Sequence, residues 1–95
     1  MLFEYDPKKN ISNIQKHGVS LEEACTVFAD PLLQIAPDTS QHREERYVAI
    51  GHSLAQNTLF VVYCYRYKTD SGEEIIRPIS ARPLTRREKR RLEEL

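Results

Sequence analysis

The chain opens on Leu2-Phe3-Glu4-Tyr5, where apolar and polar side chains alternate with the period of a short strand. Asp6-Pro7 then starts a helix. An Asp carboxylate accepts from the orphan amides of a first turn, and Pro at the first helical position gives up no needed hydrogen bond. Ile11 and Ile14 lie three apart and are expected to share its apolar face. Gly18, after Lys16-His17, is a natural left-handed stop, with two potentially cationic groups at the negative helix end. Ser20-Leu21-Glu22-Glu23 reads as a capping box, Ser20 capping and Glu23 reaching back. It opens a second helix with Leu21, Ala24, Val27 and Phe28 as its apolar positions. Asp30-Pro31 closes that helix, because the residue before Pro is pushed out of helical geometry.

The middle of the chain favours strands. Residues 32–35 and 46–50 are candidates, and residues 59–65, β-branched and aromatic throughout, are expected at the centre of a sheet. Turns are expected at Ala55-Gln56-Asn57 and Thr69-Asp70-Ser71-Gly72, with a further strand over residues 74–80. Pro78 within that strand implies an edge, or a position whose missing N–H faces outward. Thr85-Arg86-Arg87-Glu88 is a second capping box and opens a helix running to about Leu95. The pattern predicts one α+β domain over residues 1–95: two N-terminal helices, an antiparallel β-sheet and a C-terminal helix. The first helices should pack on one sheet face and the last at its edge.

A chain of 95 residues has a thin core, so binding to a partner would add to its stability. With 40% apolar and 29% charged residues the composition is globular, which excludes a disordered or collagen-like chain. No apolar run is long enough for a membrane span, and the first residues lack the pattern of a signal peptide, so a cytoplasmic location is expected. Cys25 and Cys64 sit in apolar surroundings and are expected to be free, buried thiols. No Cys/His spacing matches a zinc site.

Equal numbers of acidic and basic residues hide an asymmetry. Residues 77–91 hold seven basic side chains (Arg77, Arg82, Arg86, Arg87, Lys89, Arg90 and Arg91) and one acid, Glu88. Residues 1–76 hold seven basic and eleven acidic groups. A concentrated positive field suits RNA or an acidic protein partner; a solvated basic helix is the plain alternative.

Blocks in order along the chain resemble the BrnT toxins. Phe3-Glu4-Tyr5-Asp6-Pro7 resembles their F-E-W-D-P, Lys16-His17-Gly18-Val19 their K-H-G-V, and Glu22-Glu23-Ala24 with Val27-Phe28-Ala29-Asp30-Pro31 their E-E-A…V-F-x-D-P. Glu44-Glu45-Arg46 and Ile50-Gly51 fit the next strand. Val61-Val62-Tyr63 with Arg66 resembles V-V-Y-T-x-R, Ile79-Ser80-Ala81-Arg82 resembles I-S-A-R, and Arg87-Glu88-Lys89 falls in the closing basic helix. Tyr5 stands where Trp is usual, Cys64 where Thr is common, and Leu92 where Tyr is often found. If that Tyr stacks on substrate or moves protons, Leu92 weakens catalysis.

The resemblance implies a RelE-like fold and a type II toxin that cleaves RNA without a metal ion or other cofactor. It also implies a hetero-oligomer with a BrnA-like antitoxin that carries a ribbon-helix-helix domain. Metal-free cleavage uses the ribose 2′-OH against the neighbouring phosphate, which calls for cations to neutralise the developing charge and a group to move protons. Arg66 and Arg82 are the first candidates, each at the end of a predicted strand and each with a planar fork suited to phosphate. Pairing with a nearby Glu is the plain alternative for both. Lys16 and His17 are the second pair, although a cationic last helical turn is stabilising in itself. Glu88 reads better as a cap than as a general base. Arg86, Arg87, Lys89, Arg90 and Arg91 are expected to grip the RNA backbone or the antitoxin, and His42 and His52 are expected to be ordinary surface residues. The competing reading is a non-enzymatic or degenerate module that binds nucleic acid or an antitoxin.

Overall fold

The computed structural model describes residues 1–39 and 45–94. His42 and Glu44, and the far end of the last helix at Leu95, lie outside the described residues. The elements in order are β1 (Leu2–Phe3), α1 (Pro7–His17), α2 (Leu21–Cys25) running into a 3-10 turn (Thr26–Ala29), β2 (Gln34–Pro37), β3 (Tyr47–His52), β4 (Thr58–Lys68), β5 (Glu74–Pro83) and α3 (Arg86–Glu93). The sheet order is β1-β5-β4-β3-β2.

The sheet is mixed rather than antiparallel, because β1 runs parallel to β5 while all other pairs are antiparallel. Tight turns can join only antiparallel neighbours; the first and last strands are brought together across the whole chain. β1 is brief, pairing only Leu2 with Ile75 and Phe3 with Ile76. β4 and β5 both run further than their apolar runs suggest, so Arg66 and Arg82 lie inside strands and not beyond them.

One face of the sheet carries the core. Val19, Leu21, Ala24 and Val27, from α2, the residue pair ahead of it and the 3-10 turn, pack on Ala49, Leu59, Val61, Tyr63, Ile76 and Ala81. The Phe28 ring meets Tyr63 edge-on at 5.0 Å and Phe3 at 5.6 Å. Close approach of the 3-10 turn explains Gly51: a Cβ there would lie 3.0 Å from Leu33 Cδ1 and 3.3 Å from the Val27 carbonyl oxygen. On the opposite face Val48, Ile50, Phe60 and Val62 are half-buried, and α3 reaches only its margin.

α1 starts and stops where its signals place it: Asp6 accepts from the Lys8 amide, and Gly18 adopts φ 70° and donates to the Ile14 carbonyl. Its inner face is not the expected one. Ile11 and Ile14 are 58% and 44% exposed, whereas Asn13 is buried. The reason lies at the outer edge of β5, which β1 leaves uncovered past Ile76. Asn13 Nδ2 donates to the Ala81 and Val19 carbonyls at 2.8 Å each, and its Oδ1 accepts from the Ala81 amide at 3.2 Å. A single carboxamide thus stands in for a neighbouring strand. Asn10 Oδ1 accepts from the Leu21 amide at 2.7 Å and ties α1 to the start of α2.

Pro78 sits on this same stretch. β5 is not an edge strand by sheet order, but β1 has ended before Pro78 is reached. The register also shifts there: Val62 pairs with Ser80 and Tyr63 with Pro78, so Ile79 is the extra residue of a bulge. Pro lacks the N–H that a ladder would use and is accommodated at such a point.

The capping box at Ser20 is half made. Ser20 Oγ accepts from the Glu23 amide, but the Glu23 carboxylate turns away and accepts from Ser53 Oγ at 2.7 Å and Asn57 Nδ2 at 2.9 Å. Two side-chain donors on the β3–β4 turn outcompete one backbone amide. Neither cysteine forms a disulfide; Cys64 is buried, but Cys25 is only half-buried, with its thiol donating to the Leu21 carbonyl. Burial and the nearby Glu22 carboxylate push the Cys25 thiol up to about 11, so it stays an unreactive thiol at neutral pH.

Asn13→Ala should lower the unfolding free energy by about 2–4 kcal/mol, because buried backbone groups of Ala81 and Val19 lose their partners. Asn13→Asp should lose at least as much, since a carboxylate cannot donate to two carbonyls. Urea denaturation measures both, and a loss below about 0.5 kcal/mol for the Ala variant would contradict the role given to Asn13.

Candidate functional site

Pairing in the sheet fixes which side chains share the face opposite the core, which the described helices leave uncovered apart from the α3 margin. One row runs Gln34, Ile50, Phe60, Arg82; the next runs Ala36, Val48, Val62, Ser80; a third holds Cys64 opposite Arg77. Arg82 lies over the Phe60 ring, its guanidinium carbon 4.4 Å from the ring centre. Its fork meets Glu88 in bidentate fashion, Nη1 to Oε1 at 2.7 Å and Nη2 to Oε2 at 2.9 Å.

Glu88 has two jobs. Its carboxylate also accepts from the Thr85 amide at 2.9 Å while Thr85 Oγ1 accepts from the Glu88 amide, which completes the capping box of α3. Arg82, then the Thr85 amide, pull the Glu88 carboxyl down to about 2. A carboxylate that acidic is a poor proton acceptor, so the cap-and-partner role stands in place of a general base.

Lys16 and His17 end α1 beside β5. With Lys9, Ser12, Asn13, Ile79 and Ser80 they line a groove of about 230 Å³. Lys9, Ser12, Asn13 and Lys16 fall at helical spacing, so one side of α1 faces it. Asn13 holds this helix to Ala81, the residue between Ser80 and Arg82. The groove and Arg82 therefore flank the same short stretch of β5.

Arg66 is elsewhere. It stands six residues along β4 from Phe60, which at ~3.3 Å per residue is roughly 20 Å from the Arg82 row. Its Nε lies 3.6 Å from Glu4 Oε1, and Arg77 Nη1 lies 3.9 Å from the same oxygen. The two arginines first paired by their strand positions are not brought together. On α3, Arg86, Arg87, Lys89 and Arg90 are all exposed and make no ion pair among the described residues. Leu92 turns inward and lines a groove with Gln34, Ile50, Leu84, Glu88 and Arg91.

Among the described residues, no three His, Cys, Asp or Glu side chains gather as a metal site, and no helix is long and apolar enough to cross a membrane.

The family model described as ribonuclease toxin, BrnT, of type II toxin-antitoxin system matches residues 5–88. The chain belongs to the BrnT family. A crystal structure of the Brucella abortus ribonuclease toxin BrnT is similar in fold, with a TM-score of 0.62 at 20% sequence identity, over 90% of this chain and 100% of that one. A search of the curated proteins finds no match. The stretch matched to the BrnT family includes Lys16, His17, Arg66, Arg82 and Glu88 and stops before Lys89, Arg90 and Leu92.

For this BrnT-family chain, the fold sets further polar side chains beside the candidates that their motifs mark: Ser80, Lys9 and Ser12 near Arg82 and Lys16, and Arg77 near Arg66. Ser80 was within reach of the sequence: it lies two before Arg82, so strand alternation puts both on one face. Lys9 and Ser12 are a helical repeat upstream of Lys16. Arg77 was not within reach, because it is five residues from Arg82 and only the bulge at Ile79 returns it to the same face. His52, expected to be an ordinary surface residue, is held by Asp30, which accepts from its amide at 2.7 Å and lies 3.2 Å from its Nδ1. These contacts, led by the His52 and Leu32 amides, lower the Asp30 carboxyl.

A pH dependence follows from Glu88. Its folded-state carboxyl lies below the unfolded value, so the stabilisation is fully present above about pH 4.5 and fades as pH falls toward about 2. Glu88→Gln should be less stable than the parent at neutral pH, with the gap closing across that window. Thermal melts from pH 7 to 2 check this; a gap that does not narrow on acidification would contradict the assignment.

Proposed function

We propose that the chain is a metal-independent endoribonuclease toxin, cleaving RNA by attack of a ribose 2′-OH on the adjacent phosphate. The observation that carries this reading is the meeting of Lys16, His17 and Ser80 in one groove alongside Arg82, at the edge of a sheet face the helices leave uncovered. The RNA lies against that face with the reacting phosphate near Ser80. His17 takes the 2′-OH proton; O2′ bonds to phosphorus and the bond to O5′ breaks. The leaving O5′ takes a proton from solvent water, giving a cyclic phosphate and a 5′-OH, and His17 later returns its proton to solvent. Arg82 and Lys16 stabilise the charge that builds on the phosphate oxygens. Arg86, Arg87, Lys89 and Arg90 hold the backbone on one side without reading its sequence.

The toxin acts in the cytoplasm and is neutralised in a hetero-oligomer by a BrnA-like ribbon-helix-helix antitoxin. An acidic antitoxin segment would suit the cations of α3 and would exclude RNA from the same surface. One observation favours the non-enzymatic alternative: the Arg82 fork is already filled by Glu88, so a phosphate must bind its remaining edge or displace that carboxylate.

Purified protein should cleave single-stranded RNA equally well with and without EDTA. Arg82→Ala should lower the single-turnover rate by ~10²–10³, the loss when one preorganised donor is removed. Arg82→Lys should restore little, because a point charge cannot reproduce the fork. His17→Ala should lose ~10²-fold or more. Cleavage that stops in EDTA and returns with Mg²⁺ would sink the metal-free mechanism. Full activity in a stably folded Arg82→Ala variant would remove Arg82 from it. Absence of any cleavage by the parent protein would leave the binding-module reading.

A further inference from the structure

We infer that Arg66 and Arg77 form a second phosphate-binding subsite, at the far end of the uncovered sheet face from Arg82, for a single-stranded RNA laid along β4 and β5. The ligand class rests on the ribonuclease reading; the subsite itself rests on geometry. β1 ends with Phe3 in the core, so Glu4, next in alternation, turns to the other face. Its amide donates to the Ile76 carbonyl at 3.0 Å and fixes its place beside Arg77. Arg77 is opposite Cys64, and Arg66 follows two residues beyond Cys64 on the same strand. The two guanidiniums thus converge on one carboxylate oxygen, at 3.6 and 3.9 Å.

Two features make this cluster a receptor for an anion and not a closed ion pair. Glu4 is the one carboxylate within 4 Å of either guanidinium among the described residues, so the contacts themselves set two permanent cations against one anion, with Asp6 lining the adjoining groove beside Glu4 and Arg77. Both separations are longer than a good charge-assisted hydrogen bond, and Glu4 also accepts from the Tyr67 hydroxyl at 3.2 Å. Neither arginine fork is filled in the way that Glu88 fills Arg82. Their side chains stay 43% and 26% exposed.

Between the two cationic ends lie Val62 and its neighbour Val48, half-buried and apolar and suited to a ribose or a base, and then Cys64, which is buried and gives a ligand no surface. Along β4 the Arg77 row lies about 13 Å and Arg66 about 20 Å from the Arg82 row, a span of roughly four to six stacked nucleotides at ~3.4 Å each, and fewer in an extended strand. A short oligonucleotide therefore reaches one end only.

The test compares parent protein with the Arg66→Gln/Arg77→Gln double variant and with Glu4→Gln. Binding of a fluorescent 2′-O-methyl RNA 12-mer, which cannot cleave itself, is measured by anisotropy from low to high KCl. One phosphate lost should reduce the slope of log affinity against log salt by ~0.7. The double variant should show that drop in full on the 12-mer and only part of it on a trinucleotide, which divides between the two ends, while Glu4→Gln should bind the 12-mer more tightly. An unchanged slope in a double variant that melts near the parent temperature overturns the subsite. So does an equal loss on both lengths. A variant that binds RNA normally but loses affinity for an acidic peptide would make this a protein-docking surface and likewise overturn it. Failure of RNA cleavage by the parent, with the length-dependent binding intact, would sink the ribonuclease reading and leave the subsite standing.

Discussion

The architecture hangs on how the outer edge of β5 is satisfied. β1 is two residues long and covers only the first part of that edge. Past it, the backbone of Ala81 would be left buried and unpaired, at a cost of about 1–3 kcal/mol for each polar group. Asn13 supplies both a donor and an acceptor to Ala81 and so does the work of a strand with one side chain. Nothing else in α1 is as constrained, which is why its isoleucines can face solvent. The same clamp sets the position of Lys16 one turn further on. Stability of the edge and assembly of the groove are consequences of one interaction, and a defect at Asn13 would appear in both.

At the other side of the candidate site, Arg82 and Glu88 trade freedom for order. A bidentate pair over an aromatic ring holds the guanidinium plane in place before any ligand arrives. Preorganisation of this kind is what electrostatic catalysis requires, since the donors need not reorient as charge develops. The same carboxylate caps α3, so the guanidinium and the first turn of the basic helix are positioned together.

Much of the fold was legible in the sequence because local chemistry and final structure agree. Asp6-Pro7, Gly18 and the Thr85–Glu88 box act at short range and are realised as the spacing implies. What was not legible depends on partners distant in the chain. The parallel pairing of β1 with β5 joins residues more than seventy positions apart, and no periodicity announces it. The exposure of Ile11 and Ile14 follows from the demand of a strand edge that the helix sequence does not mention. Glu23 left its expected partner for Ser53 and Asn57, thirty and more residues on. Lys16, His17 and Arg82 were candidates by residue type and motif. Their spatial relation, and the distance of Arg66 from them, required the register of the sheet.

The bulge at Ile79 shows how one inserted residue shapes a surface. Without it, β5 would alternate strictly, and Arg77 and Arg82, five apart, would point to opposite faces. Arg77 would then compete for space with Tyr63 and Ile76 in the core, where a guanidinium has no compensating partner. The extra residue shifts the phase between Ser80 and Pro78, so that Pro78 and Ile76 fill the core while Arg77, Ser80 and Arg82 all reach the uncovered face. Pro78 favours the irregularity, because it can make no ladder bond of its own. The proline that first marks an unusual strand is thus part of what sets three polar side chains along one line, between the Glu4 cluster and α3.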